Sequence, residues 1–141
     1  MLRVTDEFSV GRSPEDVFEF MVDPRNLAKW QTIKTSATPL TEGPPRRGYR
    51  LREGNRVGPR RWDQIVEFTE FEPGRALTVR VVEGPPSTGR WRLAPDPAGT
   101  HVRFEAELKA PRALEFVLGP LTTRQFRRYH RNLRAELERG S

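Results

Sequence analysis

The chain has 141 residues, the length of one ordinary domain and enough to bury a core. Hydrophobic residues make up 35% and charged residues 31%, too apolar for a disordered segment, and no apolar run reaches the roughly 18 residues of a membrane span. The absence of cysteine excludes thiol catalysis, disulfides and cysteine-ligated metals.

Residues 2–10, "LRVTDEFSV", alternate as a strand that puts Leu2, Val4, Phe8 and Val10 on one side, with Asp6 on that same side. Ser13 then supplies an N-cap, Pro14 a pre-set φ, and Glu15 and Asp16 a first-turn charge matched to the helix dipole. Val17, Phe18, Met21 and Val22 form the apolar stripe, and Asp23-Pro24 ends this helix and starts a second short one through Leu27 and Trp30. Strand signals follow at 32–40, 49–53, 60–71, 76–83, 90–95 and 100–110, separated by Gly- and Pro-rich turns, among them a hairpin around "GNRVGP". The segment from about Leu114 to Glu138 repeats Phe126, Tyr129, Leu133 and Leu137 at helical spacing, and Gly119-Pro120 is expected to kink or divide it.

This order predicts an α+β fold in a single domain spanning residues 1–141: an antiparallel sheet of about seven strands whose one buried face is covered by a C-terminal helix. One helix cannot cover so wide a sheet, and two short helices can plug only one end, so a cavity is expected between them. Alternation places Tyr49, Leu51, Trp62, Gln64, Val66, Phe68, Leu77, Val79, Val81, Trp91, Leu93, Val102, Phe104 and Ala106 inward, and Arg50, Arg61, Asp63, Arg80, Arg92, Arg103 and Glu105 outward. From the helix, Phe126, Tyr129 or His130, and Leu133 face the sheet. The candidate ligand-binding residues are therefore Tyr49, Leu51, Trp62, Gln64, Val66, Leu77, Val79, Val81, Trp91, Leu93, Val102, Phe104, Phe126 and His130, an apolar set with few polar groups.

The polar members have bland readings as well. Gln64 near a strand end can reach solvent as easily as it can orient a ligand carbonyl or hydroxyl. Asp6 reads as a residue exposed by a bulge or a rim position before a cavity acid, and His130 at the stripe's edge as a solvated or helix-satisfied histidine before a general base. Trp30 reads as a packing residue at a helix–strand corner before a ligand contact.

No nucleophile elbow surrounds any serine, the two histidines His101 and His130 lack metal-ligand spacing, and the paired glycines of "GNRVGPR" and "GPPSTGR" precede no helix that would cradle phosphate. No metal and no cofactor is expected. The net charge of +6 resides almost entirely in arginine, with Lys29, Lys34 and Lys109 the only lysines, a skew that fits the coding bias of a GC-rich, bacterial genome. The densest run, "RQFRRYHRNLR" at 124–134, reads as a solvated helix face, with a nucleic-acid or protein-binding face as the weaker alternative.

The segments "SPEDVFEFMVDPRNLAKW", "VEFTEFEPGRALTVRV", "GRWRLAPDPAGTHVRFEAEL" and "RRYHRNLRAELE" resemble the START-related, birch-pollen-allergen-like (SRPBCC) superfamily, and within it the polyketide cyclase/dehydrase-like group. They cover nearly the whole chain in the right order. The resemblance implies a helix-grip fold, a sheet wrapped around a long C-terminal helix with a hydrophobic pocket between them, and makes the two short helices a V closing its narrow end. It carries over no catalytic residue set. The function expected is binding, transport or sequestration of a hydrophobic or amphipathic small molecule, lipid- or polyketide-like; the alternative is a polyketide aromatase/cyclase or dehydratase using the same cavity. A cytoplasmic monomer or homodimer, with no membrane span and no specific nucleic-acid partner, completes the expectation.

Overall fold

A computed structural model describes residues 1–139. Strand β1 (Leu2–Val10) leads into helix α1 (Pro14–Val22), a single 3-10 turn (Pro24–Asn26) and helix α2 (Leu27–Trp30). Six strands follow: β2 (Lys34–Pro39), β3 (Arg50–Val57), β4 (Arg60–Glu72), β5 (Ala76–Glu83), β6 (Ser87–Asp96) and β7 (Gly99–Leu108). Helix α3 (Glu115–Arg139) closes the chain after a second 3-10 turn at Arg112–Leu114. All seven strands form one antiparallel sheet in the order β1-β7-β6-β5-β4-β3-β2, so each hairpin neighbour pairs with the next and β1 returns to β7. This is the α+β helix-grip fold.

The V between β1 and β2 forms for local reasons. The Ser13 hydroxyl accepts a hydrogen bond from the Asp16 N–H at 3.2 Å, and the Asp23 carboxylate accepts one from the Arg25 N–H at 2.9 Å, capping the two successive helical segments. Val17, Phe18, Met21, Val22, Leu27 and Trp30 are all buried, so both arms turn their apolar stripe inward. The V is tied to α3 by the Asn132 side chain, which donates to the Trp30 carbonyl at 3.3 Å. On the sheet's outer face the arginines meet acids across strands, as in Arg50–Glu67 at 2.8 Å, Arg103–Glu7 at 2.9 Å and Arg3–Glu105.

Three local expectations are corrected. Strand β3 does not stop at residue 53: it runs on through Gly54-Asn55-Arg56 to Val57, and the turn is confined to the residues around Gly58 (φ 59°) and Pro59. Gly54 serves close packing rather than a turn, because a Cβ there would lie 2.6 Å from the Ser36 Oγ and 2.7 Å from the Thr35 Oγ1. Strand β6 likewise begins at Ser87, inside the segment read as loop. Finally, α3 is one unbroken helix despite Pro120. The proline sits in its second turn and forgoes only a bond to the carbonyl of Phe116, a residue 80% exposed and open to water.

Candidate functional site

Helix α3 lies against β1 and against α2, over one side of the sheet. Beneath its C-terminal half the interior is filled. His130 and Leu133 are 2% and 0% exposed, the Phe8 ring stacks on His130 at 4.5 Å, and Phe104 meets the same imidazole edge-on at 4.8 Å. Away from β1 the sheet curves out of the helix's reach and leaves a cavity of about 370 Å³.

Its wall is mostly carbon: Leu51, Val66, Phe68, Leu77, Val79 and Val81 from the central strands, Trp62 and Trp91 from β4 and β6, Met21, Val22, Leu27 and Trp30 from the V, and Phe126 and Tyr129 from α3. Gly89 keeps the floor low under Trp91, since a Cβ there would sit 3.2 Å from the indole. The rim carries the exposed Val57, Pro85, Pro86 and Lys109.

Trp91 stands on the boundary between the open and the filled part. Its indole N–H donates to the His130 Nε2 at 3.1 Å, and the His130 Nδ1 lies 2.8 Å from the Asp6 Oδ2. Accepting at Nε2 leaves the imidazole proton on Nδ1, where it is donated to the carboxylate. Burial pushes the His130 pKa below its ordinary value, outweighing the hydrogen bond and charge of Asp6, so the ring is neutral at pH 7. Burial raises the Asp6 pKa, but the His130 hydrogen bond and charge, the Glu7 N–H and Arg127 together bring it below the usual value. The β1–β7 register is continuous through Asp6, so no bulge carries it outward.

One patch of the cavity wall is polar. Lys34 and Glu53, with side chains 8% and 6% exposed, pair at 3.0 Å; the Lys34 ammonium also donates to the Asn55 Oδ1 at 2.7 Å, and Gln64 Nε2 donates to the Glu53 Oε1 at 2.8 Å. The ladders dictate this meeting, because Lys34 is paired with Asn55 across β2–β3 and Glu53 with Gln64 across β3–β4. A bulge at Thr35 separates the Lys34 and Ser36 registers of β2. Trp30 Nε1, Trp62 Nε1 and the Tyr129 hydroxyl are buried without a hydrogen-bond partner, the last near the Ile33 backbone but short of bonding geometry. Burial pushes the Tyr129 pKa strongly upward, so that phenol stays protonated.

Of the predicted candidates, Leu51, Trp62, Gln64, Val66, Leu77, Val79, Val81, Trp91 and Phe126 line the cavity. Tyr49, Leu93, Val102, Phe104 and His130 are buried but packed elsewhere: Tyr49 lies against Phe68 at 5.5 Å, and Phe104 is wedged among Trp91, Phe126 and His130. Trp30 both packs edge-on against Trp91 at 5.9 Å and faces the cavity. Lys34 and Glu53 lie within strands the sequence predicts, and Glu53 shares the inward parity of Tyr49 and Leu51, but an apolar pattern does not select charged side chains; Asn55 is hidden because Gly54-Asn55 reads as a turn. Among the described residues, no group of three or more His, Asp or Glu side chains gathers as a metal site, and no helix is long and apolar enough to cross a membrane.

A sheet gripping one long helix over an internal, mainly apolar cavity defines the class as a helix-grip protein with the capacity to hold a hydrophobic ligand. The chain belongs to the family described as polyketide cyclase/dehydrase and lipid transport, whose model matches residues 1–138, within the SRPBCC superfamily. Among solved structures it is similar to SA2116 of Staphylococcus aureus, described as a protein of unknown function (TM-score 0.81, 12% identity, covering 99% of this chain and 94% of that one). TTHA0849 of Thermus thermophilus superposes with a TM-score of 0.77 at 19% identity over 99% of both chains, and DR_A0006 of Deinococcus radiodurans with 0.74 at 19% identity over 100% of both. At these identities the likeness is one of fold. No curated protein is significantly similar to the chain in sequence.

Proposed function

We propose that the protein binds one hydrophobic or amphipathic small molecule, lipid- or polyketide-like, in the cavity between sheet and helix, and carries or sequesters it. The observation that carries this reading is the combination of a 370 Å³ space and a wall built of aliphatic and aromatic side chains with polar groups confined to one patch. Covering that wall with a ligand recovers the area term that drives folding, about 25 cal/mol per Å² before association costs. Leu51, Trp62, Val66, Leu77, Val79, Val81, Trp91 and Phe126 are the residues proposed to touch it. Three tryptophans line the cavity, so titration with fatty acids, flavonoids and aromatic polyketides is expected to shift the intrinsic fluorescence, with affinity following apolar area and little dependence on salt. Native mass spectrometry of freshly purified protein should show a co-purified small molecule. A flat fluorescence response across the panel together with a ligand-free mass would reject the reading.

The alternative, a cyclase or dehydratase acting on a polyketide-type chain, draws on the Lys34–Glu53 pair in the wall, since these are the ionisable groups of opposite sign held together there. Against it, each already serves the other as partner. Incubation with a poly-β-ketone thioester and product analysis by mass spectrometry separates the two: unchanged, bound substrate supports carriage, and loss of water supports the enzyme.

A further inference from the structure

We infer that the polar patch at the β2–β3–β4 end of the cavity recognises a hydroxyl group, so that the ligand is an otherwise apolar alcohol or phenol whose O–H docks between Glu53, Gln64 and Lys34. This rests on the cavity being a ligand site and names the chemistry of its polar end.

The valences of the four side chains lead there. The Glu53 Oε1 is taken by Lys34 and by Gln64, whereas the Oε2 receives no hydrogen bond among the described residues. Gln64 gives one of its two Nε2 N–H donors to Glu53, and its carbonyl oxygen receives none among them. The Lys34 ammonium has three N–H donors and meets two partners, Glu53 and Asn55. Asn55 donates one Nδ2 N–H to the Glu53 carbonyl at 3.4 Å, so what remains unspent is two acceptor oxygens, on Glu53 and Gln64, and one N–H each on Lys34, Gln64 and Asn55, all within a patch fixed by strand pairing. A neutral hydroxyl matches this set, donating to a carboxylate or amide oxygen and accepting from the ammonium.

Other headgroups fit less well. A carboxylate brings no proton for the acceptors and meets the Glu53 charge, while the Lys34 charge that would attract it is already balanced at 3.0 Å. An ammonium meets the reverse problem at Lys34. An ether or a hydrocarbon leaves the acceptors facing apolar surface, cut off from water without replacement bonds. The pair itself is a poor device for stability, because desolvating both ions offsets most of their attraction. As a pre-oriented dipole in a dry wall it is well suited to selecting one polar group.

The test is equilibrium dialysis of the full chain at pH 7 against three ligands sharing one ring system: 2-naphthol, its methyl ether and 2-naphthoate. The naphthol, whose phenol is neutral well below its pKa of about 10, is expected to bind roughly tenfold more tightly than the ether, the worth of one hydrogen bond to a charged group. Naphthoate is expected to bind weakest. Gln64→Leu should narrow the naphthol-to-ether ratio while leaving ether binding nearly unchanged. Glu53→Gln should leave the Lys34 charge unbalanced and raise naphthoate above the ether. Should that variant not fold, the wild-type ranking and Gln64→Leu decide. Ether binding equal to naphthol, or naphthoate binding tightest, overturns the hydroxyl assignment and leaves the cavity reading standing. Retention of none of the three overturns the hydroxyl assignment, and the fluorescence panel with native mass spectrometry then decides the cavity reading separately.

Discussion

The two halves of the space between sheet and helix are built from the same alternating strands, yet one is solid and the other open. Around His130 the inward residues of β1, β6 and β7 interlock with α3: Val102 and Leu133 are 0% exposed, and Phe8, Phe104 and Trp91 all touch the imidazole. Around Gln64 the equivalent positions of β3, β4 and β5 look into the cavity. The difference lies in what stands opposite. Helix α3 lies over β1, so strands near that edge find helix side chains within reach, and strands far from it find only the short V and the tips of Phe126 and Tyr129. Inward parity is therefore necessary for a ligand-lining residue but not sufficient.

The comparison breaks most violently at Leu133. Replacing it with Asp puts an unpaired charge at the most enclosed point of the packed half, at a cost of several kcal/mol, on the order of 3–5. Thermal melting by circular dichroism should show the variant unfolded or greatly destabilised. A melting curve like the parent's would mean that α3 does not grip the sheet through this stripe.

A matched pair of enlargements sharpens the contrast. Val102→Phe must force a ring into filled space and should cost about 1–3 kcal/mol or more, whereas Val81→Phe can extend into the cavity and should cost less than about 1 kcal/mol. Chemical denaturation measures both. The same Val81→Phe protein should lose ligand binding, because the ring occupies the volume a ligand needs. Equal destabilisation by the two substitutions would show that the halves do not differ in packing.

The boundary between the halves is predicted to be acid-sensitive. The His130 pKa is lowered from its ordinary 6.5 in the folded protein, so below 6.5 the unfolded chain binds the proton more readily. Its contribution to stability is complete above that pH and is lost as the pH falls from 6.5 through the folded value. Asp6, whose pKa is also lowered, adds a second loss further down, as the pH falls through its own folded value. A protonated His130 would also turn an Nε2–H against the Trp91 N–H and break the bond that holds the cavity's border. His130→Gln keeps a donor for Asp6 and an acceptor for Trp91 without titrating. It should cost about 1 kcal/mol near neutral pH and flatten the decline just below the ordinary histidine pKa, as read from urea midpoints. A decline of undiminished slope in the variant would place the titrating group elsewhere.

The smallest effect concerns the arginines, which sit outside both halves. Many are matched by acids across the sheet's outer face or along α3, as in Arg134–Glu138 at 3.2 Å. Binding to DNA or RNA is expected only at low salt and should vanish near physiological ionic strength. Sequence-selective binding that persists at about 150 mM salt in a gel-shift assay would make the Arg-rich helix a functional surface after all.

Much of this architecture was legible in the chain. Ser13-Pro14 and Asp23-Pro24 mark the V, the period-2 runs mark the sheet and its inner face, and Leu133 and Leu137 mark the gripping stripe, because caps, turns and periodicity act over a few residues and need no knowledge of distant partners. The apolar character of the lining follows from the same alternation. Three decisions belong to the tertiary structure alone. The union of Asp6 and His130, 124 residues apart, with Trp91 depends on where α3 comes to rest on β1. The polar patch depends on β3 continuing through Gly54-Asn55, where glycine makes room for the side chains of the β2 bulge and so extends a strand that its local sequence marks as a turn. And the division into core and cavity depends on the helix being narrower than the sheet it covers. That is a relation between whole elements, to which each residue contributes only the side on which it points.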